Sequence, residues 1–270
     1  RTDSNYSDLV LALPLVGSRD DVSNQINGGS TTKAVTVSGA VASATTASNF
    51  YGGSYYFDGS NDYLALANND SAFQLDGDFT VEFWVKRVSG DGYILDYAYD
   101  GSNGWGVAVS SGNLWGFYGN ATNPFNPTST TALPTNTWFH LAWTRVGSQH
   151  YYYLNGVKHT GNSTGVPATM PPTSGSNVMN IGRFMNGTSY FNGYIQDFRV
   201  YKGVAKYTSN FIPASTSPDI LPDTPSGVSY SSQLTKVTDG AVSFDGTDDR
   251  IISDIGSGGL QSDFCVEYWI

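Results

Sequence analysis

The chain has 270 residues, 39% of them hydrophobic and 14% aromatic, with 31 glycines and only 13% charged residues, so it can bury a core and make many turns. A formal net charge of -10 argues against nucleic acid as a partner, because phosphate tracking needs clustered Lys and Arg. Cys265 is the only cysteine, which excludes an intrachain disulfide and a cysteine-built metal cluster within this stretch; no apolar run is long enough to span a bilayer, so no membrane insertion is expected.

In chain order, short apolar runs occupy residues 9–15, 34–41, 55–57, 63–66, 79–85, 93–97, 105–109, 114–118, 138–145, 151–154, 177–181 and 194–201. Clusters of Gly, Asn, Asp, Ser and Pro separate them, the pattern of strands joined by turns. So many strands with so little helix predict an all-β antiparallel sandwich or barrel. Strict alternation puts Phe79, Val81, Phe83 and Val85 on one strand face and Thr80, Glu82, Trp84 and Lys86 on the other. Asn155-Gly156, between two β-rich runs, predicts a tight type I′ hairpin. The stretch 203–211 is the one place where a short helical turn is expected. Phe57, Phe79, Val81, Phe83, Leu141, Leu154, Ile195 and Val200 are expected in the core.

The strongest internal signal is a repeat. Tyr56-Phe57-Asp58-Gly59-Ser60-Asn61-Asp62 returns as Ser243-Phe244-Asp245-Gly246-Thr247-Asp248-Asp249, and the run from Asp78 to Val85 returns from Asp263 to Ile270. A spacing of roughly 185 residues is the size of a whole domain, not of a solenoid turn. Pro213, Pro218, Pro222 and Pro225 lie between the copies, where they favour extended, semi-rigid backbone. The expected organisation is a first domain over 1–212, a Pro/Ser-rich linker over 213–232 and the truncated start of a second copy over 233–270. An Arg start and an end inside a strand-like run read as a segment of something longer.

Several motifs carry a family resemblance: Phe57-Asp58-Gly59 with Asp62-Tyr63, Phe79 to Trp84, Trp138 to Ala142, Tyr153-Leu154-Asn155-Gly156, Ile181-Gly182-Arg183 and Gly193 to Tyr201. Over residues 8–212 the chain resembles laminin-G-like domains of the concanavalin A-like lectin/glucanase group. Tyr6 to Leu13 and Tyr207 to Phe211 resemble the tandem forms found in bacteriophage tail-fibre and adhesin proteins. The resemblance implies a two-sheet antiparallel jelly roll, with ligands at the concave face or the loop rim.

Catalytic chemistry is hard to assemble from these residues. Glycoside hydrolysis of the retaining type needs two carboxyls about 5 Å apart, yet the only glutamates, Glu82 and Glu267, have no acidic residue two or four positions away on the same strand. Glu82 reads as a solvent-facing or locally paired strand residue, and Asp96 and Asp100 as residues ending a strand. His140, His150 and His159 are the only histidines, and no Gly-x-Ser-x-Gly elbow occurs; His140 is expected to pack in the core. Calcium is the better metal candidate, because Asp58, Asn61 and Asp62 cluster in one turn and offer hard oxygens, although Asx residues also bond their own turn. Family members often carry two acidic residues after the late Gly-Tyr-Ile; here Gln196 replaces the first and Asp197 remains. Candidate calcium ligands are therefore Asp58, Asp62 and Asp197.

Aromatic residues supply the binding candidates, since sugar rings stack on Trp and Tyr faces. With Tyr152 and Leu154 inward, Tyr151 and Tyr153 point outward. On the 114–118 strand either Trp115 with Phe117 or Leu114 with Tyr118 must face away from the core. The expected function is a non-catalytic surface-binding module of a phage tail fibre or other virion appendage. Its expected partners are host-surface polysaccharide or glycan and other virion proteins, in a homo-oligomer on the virion surface or in the extracellular space. A secreted bacterial carbohydrate-binding protein and a purely structural spacer are the competing readings.

Overall fold

The computed structural model describes residues 3–49, 53–67, 70–97, 104–119, 122–125, 132–160 and 178–213. By internal contacts the chain divides into two units, 1–237 and 238–270. All described residues belong to the first; apart from Pro213, the expected linker and second copy lie outside them.

The chain opens with a 3-10 turn at Tyr6–Asp8 and strand β1 (Leu9–Leu13), followed by helix α1 (Ser23–Ile26), β2 (Val35–Ser38), β3 (Ala42–Ala44), β4 (Ser54–Asp58) and β5 (Tyr63–Ala67). After helix α2 (Asp70–Phe73) come β6 (Phe79–Ser89), β7 (Gly92–Tyr97), β8 (Trp105–Ser110), β9 (Asn113–Tyr118) and β10 (Thr122–Phe125). The described chain continues with β11 (Trp138–Val146), β12 (Gln149–Leu154), β13 (Val157–Thr160), β14 (Val178–Ile181) and β15 (Asn192–Lys202).

These strands form two antiparallel sheets. The first runs β13-β12-β11-β6-β15-β4-β3 with β1 also on β15, and the second runs β10-β9-β8-β7-β14-β5-β2. The expected two-sheet jelly-roll sandwich is the observed fold. Phe79, Val81, Phe83 and Val85 point into the core, where they join Leu64, Leu66, Leu95, Trp105, Val107, Met179 and Ile181 from the second sheet. Of the expected core residues only Leu154 is half-buried, packed against the core from its margin. Trp143 shows why this interior is specific: it meets Phe79 edge-on at 5.1 Å between centroids and donates its indole N–H to Nδ1 of His150 at 3.1 Å.

Two backbone features bear on the site. In β15 the pairing with β6 shifts register between Gln196 and Arg199, and Asp197 takes a left-handed φ of 50°. This bulge lets β4 and β1 share one edge of β15 in succession, β4 beside residues 192–195 and β1 beside 198–201. At the β12–β13 turn, Asn155 and Gly156 have φ of 47° and 79°, as the type I′ hairpin requires.

Residues 203–213 form no helical turn, contrary to the sequence expectation. They run as an extended strap over the outer face of the first sheet, because sheet side chains engage their backbone groups. Thr80 Oγ1 donates to the Val204 carbonyl at 3.0 Å and accepts from the Lys206 amide at 2.8 Å. Tyr153 donates its hydroxyl to the Tyr207 carbonyl at 2.8 Å. The Phe211 amide donates to the Gly156 carbonyl at 3.0 Å, so close that a Cβ on Gly156 would overlap the Phe211 backbone. Asn210 accepts from the Lys158 amide at 2.9 Å, which closes part of the exposed edge of β13.

Candidate functional site

The outer face of the first sheet carries several candidates, and the strap covers them. Tyr151 and Tyr153 do point away from the core, as alternation requires. Tyr153 is nevertheless fully buried, with its ring at 5.4 Å from Phe211 and 6.0 Å from Tyr207. A ligand cannot reach it, which corrects its assignment as a binding residue. Tyr151 is half-buried, with the Lys158 ammonium 3.7 Å above its ring.

Glu82 is locally paired and not solvent-facing. It sits 2.9 Å from Lys206 Nζ, accepts the Tyr207 hydroxyl at 2.7 Å and lies 3.4 Å from His140 Nε2. Burial pushes its carboxyl up, but Lys206, His140 and Arg199 outweigh that and hold it well below the ordinary range. His140 is packed as expected, though on the outer face of the sheet, edge-on to Trp84 and Phe211.

The calcium candidates are engaged by the protein itself. Asp58 accepts the amides of Ser60 and Asn61, an Asx turn. Asp62, 1% exposed, accepts the Ala40 amide through one oxygen and the Asp58 amide through the other. Asp197 pairs with Arg199 Nε at 2.7 Å at the bulge. It lies five residues along β15 from Asn192, the partner of Asp58, or on the order of 15 Å at strand rise. Among the described residues no group of three or more His, Cys, Asp or Glu is arranged to hold a metal. Asp58 and Asp62 are engaged by backbone amides and Asp197 by Arg199, and the three carboxylates do not converge, so these residues do not fit a common calcium site.

The outer face of the second sheet is different. On β9, Leu114 and Tyr118 point inward, and Trp115 and Phe117 face away from the core. Phe117 is fully buried, whereas Trp115 is half-buried. The register shift between β7 and β8 at Tyr93 and Leu95 sends both Ile94 and Leu95 inward and leaves Tyr93 outward. Tyr93 then meets Trp115 edge-on at 5.9 Å and Phe184 at 4.6 Å. Beside these rings lies a cleft of about 260 Å³ lined by Asp91, Tyr93, Ala108, Ser110, Trp115 and Ser189. Its rim is fixed: Asp91 accepts the amides of Ser111 and Gly112 at 2.6 and 3.0 Å, and the Ser189 carbonyl accepts the Tyr93 amide at 2.9 Å.

Sequence reasoning found Trp115 and missed Tyr93, Asp91 and Ser189. The consecutive apolar pair Ile94-Leu95, which breaks alternation, was the available signal for Tyr93.

Further along β7, Asp96 faces outward and is fully buried. One carboxylate oxygen accepts the Met185 amide at 2.8 Å and the other has no hydrogen-bond partner. Burial pushes its pKa up to about 8, against the smaller opposing effects of that amide and of Arg183. Arg183 itself lies flat on Tyr63, 3.4 Å from its ring centre, and donates to Asn180 at 3.1 Å.

This architecture has known counterparts. The binding domain of botulinum neurotoxin serotype D superposes with a TM-score of 0.54 at 17% identity, over 75% of this chain and 50% of that one. The chain therefore spans about half the length of that structure. Domain 4 of AbnA, a GH43 extracellular arabinanase from Geobacillus stearothermophilus solved with arabinotriose, gives 0.53 at 18% identity, over 73% of this chain and 94% of that one. Trypanosoma rangeli sialidase gives 0.50 at 16% identity over 73% of this chain and 30% of its own. At these identities the likeness is one of fold. No curated protein sequence matches the chain. Residues 58–206 match the Laminin_G_3 profile, and the chain belongs to that family, within the concanavalin A-like lectin/glucanases superfamily.

Proposed function

We propose that this domain is a non-catalytic glycan-binding module whose ligand face is the outer surface of the second sheet at Trp115 and Tyr93. One observation carries the reading: a half-buried Trp115, edge-on to Tyr93, borders an open cleft with Asp91, Ser110 and Ser189 at its rim. Aromatic faces take the C–H faces of a sugar ring, and rim oxygens fix its hydroxyls. The arabinotriose complex of AbnA domain 4 is a precedent for a saccharide ligand on this fold.

A cleft this small holds little ligand surface, so a single site binds weakly and gains strength through multiplicity. The repeat at 56–62 and 243–249, with prolines between the copies, supports display in series. We place the module in a homo-oligomeric phage tail fibre or other virion appendage, on the virion surface and in company with other virion proteins. Host-surface polysaccharide is its ligand. Two observations support binding without turnover: Glu82 is committed to Lys206 and Tyr207, and Asp96 accepts the Met185 amide with no second carboxyl paired to it among the described residues.

The test pairs two aromatic truncations on a glycan array and in solution. Trp115→Ala is expected to weaken glycan binding at least about tenfold while changing stability by less than about 1 kcal/mol. Tyr153→Ala is expected to cost about 2–4 kcal/mol of stability and to leave binding by the folded protein intact. An assembly that binds no glycan at all would make the domain a structural spacer, and release of reducing ends from polysaccharide would make it an enzyme.

A further inference from the structure

Under the strap, three ionisable side chains from distant parts of the chain meet in one nearly buried site. Lys206 Nζ lies 2.9 Å from Glu82 Oε1 and 3.5 Å from Asp3 Oδ2. Asp3 and Glu82 are 1% and 5% exposed, and Tyr201 and Tyr207 flank Lys206. Asp3 is held on both oxygens: the Asn5 amide donates to Oδ1 at 2.9 Å, and the Tyr201 hydroxyl donates to Oδ2. Tyr207 and His140 hold the far oxygen of Glu82, and Arg199 reaches Tyr201 at 3.4 Å.

An amine in contact with one carboxylate and 3.5 Å from an oxygen of a second, in a nearly buried site, is placed for amide formation. We propose that Lys206 and Asp3 form an intramolecular isopeptide bond, with Glu82 as the base. Glu82 takes a proton from the Lys206 ammonium, and the freed lone pair attacks Cγ of Asp3. The Tyr201 hydroxyl, already donating to Oδ2, stabilises the negative charge that develops on oxygen. Glu82 then passes the proton to the departing oxygen, which takes a second from the nitrogen and leaves as water. One C–N bond forms and one C–O bond breaks; an ammonium and a carboxylate become an amide and water, so no oxidant or co-reactant is required. Lys206 Nζ lies 3.5 Å from Asp3 Oδ2, an atom bonded to the carbon it must attack. Burial pushes the Lys206 amine down, but Glu82, Tyr201, Tyr207 and Asp3 outweigh that and hold the resting amine protonated, so the reactive form is the minor one in which its proton has passed to a carboxyl.

The bond would join residues 203 positions apart. It is read by intact mass of the purified chain. The wild type is expected to weigh one water less than its sequence, and proteolysis should yield a branched peptide joining Asp3 to Lys206. Lys206→Arg, which keeps the charge but lacks a nucleophilic amine, and Glu82→Gln are expected to have the full sequence mass, with folding checked by circular dichroism. Asp-Gly steps such as Asp58-Gly59 can also lose water as succinimides, but those reopen in hydroxylamine and the isopeptide does not. A wild-type chain of full mass after prolonged incubation between mildly acid and mildly alkaline pH overturns the proposal. So does a water loss that survives in Lys206→Arg.

Discussion

The two outer faces of the sandwich start from similar alternating strands and end in opposite states. On the first sheet, Glu82, Trp84, His140 and Tyr153 point outward and are all buried, because residues 203–213 cross β6, β11 and β12, where Lys206 and Tyr207 engage Glu82 and the Tyr207 carbonyl accepts the Tyr153 hydroxyl. On the second, Trp115 and Tyr93 stay half-buried beside an open cleft. An outward side chain is therefore not an available one; what decides is whether another segment of the chain has claimed that face.

The largest expected effect separates the faces by stability. Lys206→Met leaves Glu82 buried without its cation and is expected to cost about 3–5 kcal/mol, read by denaturant unfolding. Truncation at Trp115 costs little by the same measure. A Lys206 variant of unchanged stability would mean that the strap is not fastened by this pair.

A smaller effect distinguishes the faces by pH. Asp96 has a folded-state pKa raised to about 8 by burial, so the folded state binds its proton more tightly than the unfolded one. Its contribution is most favourable below the ordinary carboxylate range and is lost as pH rises toward 8. His150 works the other way: burial lowers it to about 3, with Arg145 adding to the shift. Its contribution is present above the ordinary histidine value and is lost as pH falls toward 3. Asp96→Asn is expected to raise stability by about 2–4 kcal/mol at alkaline relative to acid pH, flattening that limb of the melting profile. An unchanged slope would locate the alkaline loss elsewhere.

The smallest expected effect is none. Because backbone amides hold Asp58 and Asp62, a chelator such as EDTA is expected to leave the melting temperature where it was. A drop of several degrees would restore calcium to that turn.

The sequence made the sandwich readable because its strands obey local rules. Alternation from Phe79 to Val85 and the Asn155-Gly156 turn need no knowledge of distant partners. β3 was missed because Ala42-Ser43-Ala44 has no bulky alternation, and β10 because Thr122 to Phe125 carries a proline. The strap was misread as helical since what straightens it is remote: Thr80, Thr144 and Tyr153 take its backbone groups. The site was half legible for the same reason. Alternation placed Trp115 on an outer face, but Tyr93 reaches it from two strands away, across β8.

Asp3, ahead of the first described strand, and Lys206, beyond the last described one, meet at one point. Tension applied to the chain on either side of these two residues would pass directly between them. The sheets would bear load only after that contact gave way. As an ion pair the contact is a weak mechanical fuse; as an amide it would be a covalent bypass, and a pulled domain would lengthen by only the few residues outside it.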